Sequence, residues 1–261
     1  MFVGISTACF YPKETENTIE DIAPLGFKHI EVFFNSICEC EEDFCAAFRG
    51  KIDSLGIACV SAHPYISSME HFFLFSGYKR RKDDGFLLYK DIFKGAKTLG
   101  AKHITFHGDR VFLQTAFSIK QYAKVFMELD LMAKDHGLRL AQENVSWCRS
   151  CDLEFLKGLL NETGGDVCFT LDIKQAVRAQ RDVFDYIKLL KNKIVNIHIN
   201  DYTQDKPCLL PFEGDMDYIR LKNALVEMNY GGELIIEVYR DNFSDNADVL
   251  KSKKKLEEIY Y

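Results

Sequence analysis

His136-Gly137-Leu138-Arg139-Leu140-Ala141-Gln142-Glu143 holds a helix end, a turn, a strand and a carboxylate at the strand's tip. A glycine just past a helix takes the left-handed conformation at little steric cost and turns the chain straight into the next strand. The junction recurs as Leu25-Gly26-Phe27, Leu55-Gly56-Ile57, Leu99-Gly100-Ala101, Thr163-Gly164-Gly165 and Tyr230-Gly231-Gly232. Repetition of this kind predicts a chain built from αβ units.

Working outward from these junctions, eight β-rich runs emerge: Phe2–Ser6, Lys28–Phe34, Ile57–Ala62, Lys102–His107, Leu138–Glu143, Val167–Asp172, Ile194–Ile199 and Glu233–Val238. Most are near-continuous Val, Ile, Leu and Phe, the composition of parallel strands covered by helices. Between them, apolar residues fall at helical spacing, as in Phe44, Phe48, Ile52 and Leu55, or Tyr122, Phe126, Leu129 and Ala133. Alternating strands and helices make either an open doubly wound sheet or a closed barrel. Eight runs in 261 residues fit a (β/α)8 TIM barrel, which needs about 250 residues. After the first run, Thr7-Ala8-Cys9-Phe10-Tyr11 lacks the Gly-rich phosphate loop of a dinucleotide fold. No low-complexity stretch or linker divides the chain, so one barrel domain over residues 1–261 is expected.

Lys plus Arg number 33 against 39 Asp plus Glu, a net charge of −6 that offers no global attraction to nucleic acid or anionic membrane. No apolar run reaches the roughly 18 residues that span a bilayer. The opening Met1–Thr7 reads as a strand rather than a basic leader, so a cytoplasmic location is expected. Nine cysteines, odd in number and scattered, read as reduced thiols. Neither Cys38-x-Cys40 with Cys45 nor Cys148-x-x-Cys151 has the second pair that a structural zinc requires.

Chemistry gathers at the strand ends. The fifth run ends at Glu143, the sixth at Asp172, the seventh carries His198 and the eighth reaches Glu237. In a barrel these four converge on the carboxyl-terminal face, where active sites of this fold lie. Clustered carboxylates repel unless a positive charge sits among them. One imidazole with three carboxylates suits a divalent ion such as Mn, Co, Zn or Mg. The plainer reading of any one of them is a helix N-cap or a satisfied polar group. His63 and His107, ending the third and fourth runs, flank Glu143 and would complete a second metal position or bind substrate. Glu31 is either an inward contact for substrate hydroxyls or the partner of a nearby Lys or His. Phe10, Tyr65 and Trp147, in loops after the first, third and fifth strands, are expected to wall a pocket. His29, His71, His103 and His136 read as structural or solvated.

With these residues in order, the sequence resembles the xylose-isomerase-like barrel superfamily, which includes sugar isomerases, ketose 3-epimerases, inosose dehydratases and endonuclease IV. The resemblance covers nearly the whole chain. It rests on Gly26-Phe27-Lys28-His29-Ile30-Glu31-Val32, Ala62-His63-Pro64-Tyr65, Phe106-His107-Gly108, Gln142-Glu143-Asn144, Leu171-Asp172-Ile173, Ile197-His198-Ile199-Asn200-Asp201, Pro211–Asp217 and Ile236-Glu237-Val238-Tyr239. It implies a single-metal site on Glu143, Asp172, His198 and Glu237. Two departures bear on the substrate. Gln175 stands where the epimerases usually place a histidine, and is taken here as a substrate contact; their Arg after the seventh strand is missing. The resemblance implies a small carbohydrate substrate, with homo-oligomerisation left open. The trinuclear site of endonuclease IV cannot be assembled, because His198 is the last histidine in the chain.

The expected activity is a divalent-metal-dependent sugar or sugar-phosphate isomerase or epimerase. Glu143 and Glu237 would remove and return a carbon-bound proton through a metal-stabilised enediolate. The rival readings are a metal-dependent lyase of the inosose or dehydroshikimate type, a phosphodiesterase, and a barrel without turnover.

Overall fold

The computed structural model describes residues 1–111 and 117–260. Its strands are β1 (Phe2–Ser6), β2 (His29–Phe33), β3 (Ala58–His63), β4 (His103–Phe106), β5 (Arg139–Glu143), β6 (Cys168–Asp172), β7 (Ile194–Ile199) and β8 (Glu233–Ile236). They pair in parallel and in chain order, with β8 returning to β1, so the sheet closes into a (β/α)8 TIM barrel. The strands expected from sequence are met to within one or two residues at each end.

Ten α-helices surround the sheet among the described residues: α1 (Ile19–Ile22), α2 (Glu42–Ser54), α3 (Glu70–Leu74), α4 (Lys79–Leu99), α5 (Ile119–Asp135), α6 (Leu153–Glu162), α7 (Ile173–Arg178), α8 (Val183–Leu190), α9 (Tyr218–Glu227) and α10 (Asn246–Tyr260). None is long and apolar enough to cross a membrane. The helical spacing at Tyr122, Phe126, Leu129 and Ala133 forms the buried face of α5. Gly26, Gly56, Gly100, Gly137 and Gly164 turn with φ between 60° and 88°, as the junctions predict. At the sixth junction the left-handed turn is made by Asn229 (φ 54°), and Gly231-Gly232 is not used for it.

Apolar side chains fill the layer between strands and helices, with Ile92, Phe93 and Ala96 of α4 and Phe126 and Leu129 of α5 fully packed. The barrel's interior is different. Glu31 of β2, Ser61 of β3, Thr105 of β4, Thr170 of β6 and Asn196 of β7 are all buried and polar. Thr105 and Thr170 hydroxyls meet across the barrel at 3.3 Å. Asn196 Nδ2 donates to Glu31 from the opposite wall at 2.9 Å. Buried polar groups need such partners, and this layer supplies a rigid floor for whatever sits above it. Register sets what that is: Asp172 on β6 lies directly beside His198 on β7. Side chains of paired residues share a face, so both point into the barrel mouth.

The turn after β4 is held with particular care. Buried Glu70 accepts from the Gly108 amide and the Tyr89 hydroxyl. Gln142 Nε2 donates to the Phe106 and His107 carbonyls at 3.1 and 3.0 Å. Gly108 sits at φ 85°, and a Cβ there would meet Tyr122 Oη at 2.0 Å. Gly108→Ala should therefore cost roughly 2 kcal/mol in urea unfolding, through strain and overpacking together; an unchanged midpoint would contradict this packing.

Candidate active site

Four strands deliver the central cluster. Glu143 ends β5, Asp172 ends β6, His198 stands in β7 and Glu237 follows β8 by one residue. One ligand atom from each lies within 4.8 Å of all the others. His198 Nδ1 is the common neighbour, 3.3 Å from Glu143 Oε1, 3.4 Å from Asp172 Oδ2 and 3.2 Å from Glu237 Oε2. All four are buried.

The opposite imidazole nitrogen faces Glu31. His198 Nε2 lies 3.1 Å from Glu31 Oε1, while Ser61 Oγ and Asn196 Nδ2 donate to Oε2 at 2.7 and 2.9 Å. Glu31 is fully buried below the cluster and does not line the pocket. Of the two expectations for Glu31, the pairing with a histidine is present: it hydrogen-bonds His198 and so fixes the orientation of the ring.

Asp172 serves two purposes. Its Oδ1 accepts from the Gln175 amide at 3.2 Å and so caps α7, leaving Oδ2 free to face the cluster. Sequence reasoning missed the residue between them. Lys174, almost fully buried, donates from Nζ to both Asp172 Oδ2 and Glu237 Oε2. A signal for it existed, since a cation in a helix's first turn opposes the dipole and needs another reason to be there.

A second group adjoins the first through Glu143. Its Oε2 lies 2.8 Å from His107 Nε2 and 3.8 Å from His63 Nε2, and the two imidazoles approach to 3.1 Å. These three side chains form a further potential metal-holding set. His63 stacks on Phe33 with ring centroids 4.7 Å apart, and Trp147 meets His107 edge-on at 5.9 Å.

Charge follows from this geometry. Burial is the largest influence on Glu143 and would raise its pKa, but His107, His198 and His63 together hold the carboxyl well below the usual range. Burial likewise pushes Glu237 up, yet His198 and Lys174 overcome it and keep the carboxyl low. For Asp172, burial prevails over Lys174 and its pKa is raised. Burial disfavours the charged forms of His198 and Lys174, but the surrounding carboxylates hold both well above their ordinary values. His63 is raised despite burial, chiefly by Glu143, and His107 is lowered because burial prevails.

The four strand-end residues fit a divalent ion in kind and spacing. A tetrahedral ion with bonds of about 2.0–2.1 Å sets its ligands about 3.3–3.4 Å apart, close to the separations of His198 Nδ1 from the three carboxylates. Three oxygens and one nitrogen suit Mn, Co, Zn or Mg. All nine cysteines are free thiols and belong to neither group.

Above the cluster opens a cavity of about 360 Å³, lined among others by His63, Tyr65, His107, Trp147, Lys174 and Glu237. Its size suits a small ligand. Gln175 also lines it, and its Oε1 accepts from Ser146 N and Oγ at 3.1 and 2.9 Å. Phe10 does not: it is buried at the end of a 3₁₀ turn (Thr7–Phe10) against Phe243, and Tyr11 takes the expected place on the wall.

The profile of the xylose isomerase-like TIM barrel family matches residues 19–259. No curated protein matches the sequence. Solved structures with the same fold include a D-tagatose 3-epimerase-like protein, 19% identical, with a TM-score of 0.81 over 99% of this chain and 97% of that one. A D-psicose 3-epimerase is 17% identical, TM-score 0.81, over 100% and 99%. A 3-keto-D-glucoside 4-epimerase from E. coli is 16% identical, TM-score 0.76, over 99% of each chain.

Gln175 ties the loop carrying Trp147, the sole tryptophan, to α7. Gln175→Ala leaves the Ser146 amide without that acceptor. It should cost about 1–2 kcal/mol and shift the single-tryptophan emission to the red; an unmoved spectrum would show that the loop is held otherwise.

Proposed function

The chain belongs to the xylose isomerase-like TIM barrel family, and from that premise we propose that it is a sugar isomerase or epimerase moving a proton between two glutamates. The observation that carries this reading is the placement of Glu143 and Glu237. Their carboxylates reach the same nitrogen, His198 Nδ1, at 3.3 and 3.2 Å from different walls of the barrel. A sugar carbon held over that point would have an oxygen base on either side.

Glu143, Asp172, His198 and Glu237 are the residues that would hold a divalent ion. Such an ion supplies Lewis acidity, lowering the pKa of a proton on carbon next to a carbonyl. The remaining work falls to the chain. Both glutamates are kept ionised by their neighbours, so either can accept a proton. Taking it from one face and returning it from the other inverts the carbon; returning it to the adjacent carbon, with the hydroxyl proton passing to the former carbonyl oxygen, shifts the carbonyl. His107, 2.8 Å from Glu143, would steady that carboxylate and hydrogen-bond a substrate hydroxyl. Tyr65 and Trp147 on the cavity wall would cover the apolar face of the sugar and keep water from the exchanging proton.

The test is solvent exchange in deuterium oxide over a panel of ketoses and aldoses with Mn, Co, Zn or Mg added. Glu237→Gln should keep the fold, by circular dichroism, and lower conversion of substrate to product by about 10²–10⁴-fold, even where Glu143 alone still exchanges the carbon-bound proton with solvent. Undiminished conversion in this variant would refute the two-glutamate scheme. Loss of water from the substrate would assign a lyase to the same site.

A further inference from the structure

We propose that Lys174 is a built-in cation of the acidic cluster, competing with a divalent ion for Asp172 and Glu237 and so setting how tightly this barrel holds metal. The inference rests on the reading of Glu143, Asp172, His198 and Glu237 as the metal-holding set. What marks this chain is the identity of the oxygens involved. Lys174 Nζ donates to Asp172 Oδ2 and Glu237 Oε2. Those same two atoms approach His198 Nδ1 at 3.4 and 3.2 Å, so they are also the oxygens that would face an ion. Ammonium and ion claim one pair of atoms.

Position favours this reading over a structural one. Asp172 Oδ1 is engaged in capping α7, through the Gln175 amide. That directs Oδ2 toward Lys174, two residues along. The lysine gains nothing from the helix, whose first turn is electropositive; what holds it is the pair of carboxylates. It also lines the cavity. A flexible four-carbon stem therefore has open space into which the ammonium can swing when an ion enters. There it would meet substrate oxygens, so that the same side chain neutralises the empty cluster and then faces the ligand.

With its ammonium in place, the cluster has positive charge of its own and an entering ion must displace or repel it. A neutral side chain of similar length removes that opposition and leaves the carboxylates in need of a cation. Lys174→Met should thus bind Mn²⁺ about tenfold or more tighter than the wild type by calorimetric titration, since like-charge juxtaposition in a dry site is costly. Its metal-free form should melt at a lower temperature than the wild type, with Mn²⁺ restoring more of the loss than it adds to the wild type. Lys174→Gln serves as the second variant. On the wild type, reductive methylation followed by peptide mass spectrometry should show Lys174 labelled several-fold faster with Mn²⁺ present. Equal or weaker Mn²⁺ binding in the variants, or labelling unchanged by Mn²⁺, would overturn the competition while leaving the metal site standing. Absence of Mn²⁺ binding in wild type and variants alike would overturn the metal reading itself, and the competition with it.

Discussion

Four carboxylates, Glu31, Glu143, Asp172 and Glu237, are buried in the upper half of one barrel, and their mutual repulsion is the constraint that the rest of the site answers. Buried charge persists only when it is paired and hydrogen-bonded. Each carboxylate has its answer within reach: Glu31 faces His198, Glu143 faces His107, and Asp172 and Glu237 share Lys174. His198 stands at the centre and touches all four. Remove the cationic partners and the strand ends would have to splay apart or take up protons.

The arrangement is layered. Glu31, Ser61 and Asn196 form a lower shelf that orients one nitrogen of His198 downward and thereby aims the other upward. Above the shelf lie the two glutamates, Glu237 on the cavity lining and Glu143 buried behind His63 and His107, which do line it. Aromatic walls complete the space. Under the proposed scheme the two glutamates would serve as oxygen bases for proton transfer at carbon, and the shelf, by fixing His198 between them, would spare the pair any reorganisation.

The barrel was legible because its signals are local: a left-handed glycine at five helix-to-strand junctions, an apolar run, a polar strand end. The four candidate ligands were legible for the same reason, since strand ends converge in a closed sheet. Residues whose placement depends on irregular backbone were harder to read. Phe10 looks like a loop aromatic, but a 3₁₀ turn swings it into the core and sends Tyr11 outward. Glu31 looks inward-facing, which it is, but it lies beside Ser61, where the β2–β3 register shifts, and this places it beneath His198. Lys174 lies two residues beyond the end of β6, outside the strand-end pattern that marks the other four. Only the short α7, capped by Asp172 itself, turns it into the cluster.

Everything returns to a cation among the strand ends. Anomalous diffraction from crystals soaked in millimolar Mn²⁺ addresses that directly. The account predicts one strong peak bonded to Glu143, Asp172, His198 and Glu237 at about 2.0–2.4 Å. No peak there, or a peak confined to His63 and His107, would contradict it.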